Sequence, residues 1–126
     1  MTSQGSQTRI RWEGDSLSVI RDFPASVRAN LGNDLQRLEE GLAPLDFGSM
    51  GKVLPGVYEL RDQDSQRWFR VFYVPMGGMI FVLHCFTKTT NRTLQRDIEI
   101  GRARLSSLKQ RLAEQKRVGH DERKKR

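Results

Sequence analysis

Two apolar runs of similar length, "RWFRVFYV" at 67–74 and "MIFVLHCF" at 79–86, flank Gly77-Gly78. Their β-branched and aromatic content predicts two strands, and the glycine pair supplies the positive φ angles that a tight hairpin turn needs. Upstream, "VYELR" at 57–61 predicts a short strand followed by a turn at "DQDSQ", so the three strands form an antiparallel meander. "RIRWEG" at 9–14 alternates polar and apolar residues and predicts a first strand, ending at Gly14 and free to pair at a sheet edge.

The helical period appears in three places. Asp15 is placed to cap a short helix through "SLSVIRDF", and Pro24 to open a second, "PASVRANLGNDLQRLEEG", whose stripe Val27, Leu31, Leu35 and Leu38 ends at Gly41. These two helices are expected to pack as a hairpin. Residues 41–56, rich in Gly and Pro, read as a loop. After Thr93, Leu94, Ile98, Gly101, Leu105, Leu108 and Leu112 step by three and four, which predicts a last helix with one buried face, fraying near Lys116. Residues 3–8 read as a frayed end, and no internal repeat occurs. The order of elements predicts an α+β domain spanning residues 9–115, between a frayed N-terminus at 1–8 and a basic, disordered tail at 116–126.

A chain of 126 residues, 37% hydrophobic and 29% charged, suits one folded domain. Its net charge of +7 is unevenly spread, because "KRVGHDERKKR" at the C-terminus holds six Lys/Arg against two acids. A cationic surface favours polyanions or an acidic protein partner, although a basic tail also serves as a plain solubilising end. With Cys85 alone there is no intramolecular disulfide and no cysteine-based zinc site, which fits a reducing cytoplasm. No apolar leader opens the chain, and the longest apolar run, Met79 to Leu83, is too short to span a bilayer, so no membrane role is expected.

The candidate chemistry is cationic. His84 and His120 are the only histidines and no carboxylates stand at ligand spacing, so neither a metal site nor a cofactor is expected. No Ser-His-Asp triad is supported, and Gly77-Gly78 lacks the pattern of a phosphate loop. Lys52 precedes the second strand, Arg61 ends it, Arg70 lies in the third, and Lys88 and Arg92 follow the fourth. Strand parity places Arg70 with Trp68, Phe72 and Val74, and His84 with Val82, Phe86 and Lys88. A guanidinium on an apolar face must be paired or face a groove, so Arg70 reads either as the ion-pair partner of Glu59 on the neighbouring strand or as a functional group. His84 reads as a core imidazole or as an acid/base group, and Lys52 and Lys88 as solvated lysines or site residues. Of the aromatics, mostly core, Tyr73 alone offers a phenol for polar work. Register is left open: a two-residue turn at Gly77-Gly78 pairs Arg70 with Cys85 and sends His84 to the opposite face, whereas a three-residue loop with a bulge sets Arg70 opposite His84.

In their order and spacing, "MGKVLPGVYELR", "RVFYV", "VLHCFTKTTNRT" and the basic helix after them resemble the phage-derived, HigB-like branch of the RelE/ParE toxin superfamily, over residues 9–113. The resemblance implies a small antiparallel β-sheet with two N-terminal helices and a C-terminal helix. It implies a toxin of a bacterial type II toxin–antitoxin pair, acting on messenger RNA as a ribosome-dependent, metal-independent endonuclease and neutralised by a helix-turn-helix (HigA-like) antitoxin. By position Lys52, Arg61, Arg70 and Lys88 match the family's site residues, and Arg92 extends the RNA-binding set. Thr89 replaces the second lysine of the usual K-K-T, which bears on RNA affinity, and Leu94 replaces the proline that often opens the last helix.

In such cleavage the ribose 2′-hydroxyl attacks its own phosphate, leaving a 2′,3′-cyclic phosphate and a 5′-hydroxyl; the site must move two protons and stabilise a dianionic phosphorane. Arg61 and Arg70 suit the phosphate, Lys52 or Lys88 the proton transfer if its pKa is lowered, and His84 or Tyr73 are further acid/base candidates. Two other functions share this fold or charge: a ParE-type poison of DNA gyrase, and a module that binds RNA or an acidic antitoxin segment without catalysis.

Overall fold

The computed structural model describes residues 9–90 and 92–124, the side chains of 120–124 excepted. The elements run β1 (Ile10–Trp12), α1 (Ser16–Arg21), α2 (Ala25–Glu39), β2 (Phe47–Ser49), β3 (Tyr58–Gln63), β4 (Trp68–Met76), β5 (Met79–Lys88) and α3 (Gln95–Lys124). The strands form one sheet in the order β1-β5-β4-β3-β2. The α+β class, the meander, the two N-terminal helices and the C-terminal helix are as expected. The sheet is mixed rather than wholly antiparallel, because β1 runs parallel to β5, with Ile10 facing Ile80 and Trp12 facing Val82.

The helices divide between the two faces. On one, Val27, Leu31 and Leu35 of α2 and Ile20 of α1 bury against Leu60, Phe69, Val71, Val82 and Cys85. α1 lies against β5 and α2 against β3, so each docks on the sheet rather than mainly on the other as a hairpin. On the other face α3 covers Leu54, Val57, Phe72, Val74, Phe81 and Leu83 with Leu105 and Leu108. Gly101 allows this close approach: a Cβ there meets Phe72 Cδ2 at 3.0 Å and Leu54 Cδ1 at 3.3 Å.

Several local expectations are corrected. Residues 41–56 are not all loop, since Phe47–Ser49 pairs with Tyr58–Leu60 as an edge strand. Asp15 makes no side-chain cap on α1; its carboxylate is drawn 3.0 Å from Arg104 of α3 instead. α3 continues to Lys124 past the expected fraying at Lys116, through the strong helix formers Ala113, Glu114, Gln115, Lys116 and Arg117 and the pairing of Arg117 with Glu114. At about 1.5 Å per residue the helix is ~45 Å long, well beyond the sheet it packs on. The expected frayed segment 1–8 lies outside the described residues, as do 125 and 126 of the basic tail.

The hairpin register follows neither alternative open in the sequence. The turn has two residues, Gly77 (φ 57°) and Gly78 (φ 80°), and pairs Met76 with Met79. The register then shifts in mid-strand: Tyr73 faces Val82 but Phe72 faces His84, so Leu83 is an extra residue in β5. Val82 and Cys85 point to the α1/α2 side, while Leu83 and Phe86 pack on the α3 side, where His84 meets Asp97 of that helix. The bulge therefore puts His84 on the same face as Arg70, and removes Val82 from it. Arg70 faces Phe86, not Cys85 or His84. The bulge carbonyls are held from outside the ladder: Val82 O accepts from Glu13 N (2.9 Å) and Ser16 Oγ (3.2 Å), and Leu83 O from Arg104 Nη1 (2.9 Å).

Candidate functional site

Strand parity assembles a charged cluster at the end of the sheet away from the Gly77-Gly78 turn. Arg61 of β3 and Arg70 of β4 are direct cross-strand partners, an arrangement that is repulsive unless anions intervene. Two do. Glu59, two residues before Arg61 on the same face, accepts from Arg61 Nε through Oε1 (3.1 Å) and lies 3.7 Å from Arg70 Nε through Oε2. Asp46, just before β2, is 3.7 Å from Arg61 Nη1. Gly48 stands opposite Glu59 on β2, and its lack of a side chain makes the room that the Arg61 guanidinium occupies.

Burial separates the members. Arg70 and Glu59 are 5% and 8% exposed, whereas the Arg61 side chain is 37% exposed. Arg70 Nη1 also donates to Phe69 O at 3.1 Å. Burial, opposed by Glu59, lowers the Arg70 pKa from its usual value. Lys88, in the β5 position facing Trp68, is 5% exposed, and its ammonium donates to Thr93 Oγ1 at 3.1 Å across the turn into α3. Its pKa is lowered by burial and then by the Arg70 charge, against the pull of Glu59 and Asp97.

A polar depression of about 400 Å³ opens over this cluster, lined by Asp46, Arg61, Asp62, Gln63, Trp68 and Arg70. Arg61 and Arg70 are thus brought together, and Lys88 lies near enough to feel the Arg70 charge, although it does not line the depression. The other candidates are not. Lys52 lines a separate shallow depression with Ser49, Met50, Gly51 and Val53. Arg92 is exposed in the turn before α3, with its backbone N–H 3.4 Å from Thr90 Oγ1. Tyr73 is on the opposite face, 2% exposed and stacked on Tyr58 at 5.7 Å, and burial pushes its phenol up to about 12. His84 shares the face of Arg70 but is 7% exposed, stacked on Phe86 at 5.0 Å, with Nε2 2.9 Å from Asp97 Oδ1.

Three participants escaped the sequence reading. Glu59 appeared there only as a partner of Arg70, although the i, i+2 spacing of E-L-R already put it beside Arg61. Asp97 lies thirteen residues beyond His84 in another element and carried no signal; Trp68 read as core, although its i, i+2 spacing already put it on the face of Arg70. Among the described residues no group of three or more His, Cys, Asp or Glu side chains is placed to hold a metal.

A five-stranded mixed sheet, with two helices on one face, a long C-terminal helix on the other and a cationic cluster at one end, is consistent with a RelE-like architecture. A family model described as "Phage derived protein Gp49-like (DUF891)" matches residues 18–106. The chain belongs to that family, a RelE/ParE-like family of toxins in toxin–antitoxin systems. No curated protein and no solved structure matches it. Among the described residues no helix is long and apolar enough to cross a membrane.

Proposed function

We propose that this toxin belongs to the HigB-like branch and is a metal-independent, ribosome-dependent messenger-RNA endonuclease of the cytoplasm. The observation that carries the reading is the direct pairing of Arg61 with Arg70 on adjacent strands, with Lys88 on the next strand and a buried carboxylate between the guanidiniums. Two like charges so close are useful where a dianion forms, and fixed donors around a phosphorane stabilise it with little reorganisation. Arg61, the more exposed of the two, meets the scissile phosphate first, and Arg70 supports it from the floor of the depression. Lys88, its pKa lowered by burial and Arg70, donates a proton to the departing 5′-oxygen, while the 2′-hydroxyl gives its own proton to solvent water as the new O–P bond forms and the P–O5′ bond breaks. Glu59 holds both guanidiniums in place until a phosphate offers them a second anion.

The partner on this reading is a helix-turn-helix, HigA-like antitoxin whose acidic or extended segment offsets the cationic site. Induced expression followed by growth measurement and transcript-end mapping tests the reading. Codon-linked cuts that vanish in Arg70→Ala support it. Growth arrest with trapped DNA breaks and intact transcripts makes the protein a gyrase poison, and growth without either effect makes it a binding module.

A further inference from the structure

Trp68 occupies an unusual place. It precedes Arg70 by two residues on β4, so the indole lies on the same face as the guanidinium, between Gln63 on β3 and Lys88 on β5. It is only half-buried, and with Gln63, Arg61 and Arg70 it lines the polar depression. The ring belongs to neither apolar cluster of the core and sits beside two arginines instead. Its size, about 400 Å³, suits one mononucleotide. Asp62 and Asp46 line the same depression, the first accepting from Asn30 Nδ2 (3.1 Å) and the second lying against Arg61. Their charges oppose a second phosphate there, so the seat favours a single nucleotide over the double row of phosphates of a duplex.

We propose that this depression is a nucleotide seat: an unpaired RNA base stacks on Trp68, the Gln63 amide hydrogen-bonds its edge, and the phosphate of the same nucleotide lies on Arg61 and Arg70. Stacking on an aromatic side chain is the common way to hold a single-stranded base, because a base inside a helix cannot offer its face. Stacking grows with ring area, so purines bind better than pyrimidines, and removing the indole costs about tenfold in affinity. The choice of RNA as ligand rests on the nuclease reading, but binding at the seat needs no cleavage.

Trp12 and Trp68 are the only tryptophans. In Trp12→Phe the fluorescence therefore reports Trp68 alone, and the two indole N–H signals in an NMR spectrum give the same information in the unaltered chain. Titration with adenosine 3′-monophosphate is expected to quench Trp68 to saturation and shift its indole signal. Uridine 3′-monophosphate binds more weakly, and inorganic phosphate binds without quenching. Calorimetry of Trp68→Ala is expected to show adenosine 3′-monophosphate affinity reduced about tenfold while phosphate affinity is kept. Failure of the nucleotide to bind, binding that leaves the Trp68 signal unmoved, or an unchanged affinity in Trp68→Ala overturns the seat. Binding at Trp68 by a protein that cuts no transcript refutes the nuclease reading alone; cutting with the same rate and base preference in Trp68→Ala refutes the seat alone.

Discussion

Gly48→Ala separates the site from the fold. A methyl group at this position overlaps Arg61 Nη2 and falls 2.8 Å from its Cζ, so the guanidinium has to leave. What moves is the far end of a flexible side chain that is 37% exposed, and the backbone of β2 need not shift. The stability terms are small and partly opposed. Losing the half-exposed Arg61–Glu59 pair costs about 0.2–1 kcal/mol. Leaving a Glu59 oxygen buried without that donor adds about 1–3 kcal/mol, and the less flexible unfolded chain returns about 0.4–1 kcal/mol. The net expectation is a loss of about 0.2–3.6 kcal/mol, or roughly 1–14 °C in melting temperature. The effect on cleavage is larger, because removing one fixed donor from a developing oxyanion costs about 10²–10³ in rate. Single-turnover cleavage of message on programmed ribosomes, with circular dichroism melting alongside, measures both. Cleavage at the unaltered rate by folded Gly48→Ala would refute the role given to Arg61, as would a rate differing greatly from that of Arg61→Ala.

Other parts of the structure make their own predictions. Asp97→Ala removes the partner of a buried imidazole, so urea unfolding is expected to show about 1–3 kcal/mol of lost stability; an unchanged midpoint contradicts the pairing. If Lys88 donates the proton, cleavage falls as pH rises through its depressed pKa, below the ordinary 10.5, and Lys88→Arg moves this alkaline limb upward; a limb that stays in place assigns the proton elsewhere. Stability runs in the opposite sense, since the unfolded chain binds more protons between the two pKa values, so this lysine's contribution improves with pH across that window. Cys85, 1% exposed and with its thiol pushed up by burial, is expected to resist a thiol reagent in the folded protein and react only on unfolding; rapid labelling under native conditions contradicts its burial.

The order of elements was legible because hydrophobic periodicity reports which face of each segment is buried. Val27, Leu31 and Leu35, or Leu105 and Leu108, carry that information locally. The meander and its Gly77-Gly78 turn were legible for the same reason. What stayed hidden depends on pairing between segments. The parallel run of β1 against β5 is a tertiary choice, and β2 is three residues stabilised by a neighbour rather than by its own propensity. The extra residue at Leu83 has no local signature, yet it decides the face of His84; strand parity, applied without it, grouped His84 with Val82. Arg61, Arg70 and Lys88 stood out as cations beside apolar strands, and the structure brings the two arginines together with Lys88 near Arg70. Lys52 and Arg92 had equal claims from spacing, but their loops lead elsewhere. Glu59, Trp68 and Asp97 gain meaning only from what lies across the sheet or on α3.

Cleavage by the purified protein tests the account most directly. Programmed ribosomes are incubated with the unaltered chain and with Arg70→Ala in the presence of a chelator, and the ends of the message fragments are analysed. The unaltered chain is expected to leave 2′,3′-cyclic phosphate and 5′-hydroxyl ends, and Arg70→Ala to lose at least a hundredfold in rate. Fragments with 5′-phosphate ends, or equal cutting by Arg70→Ala, would contradict it.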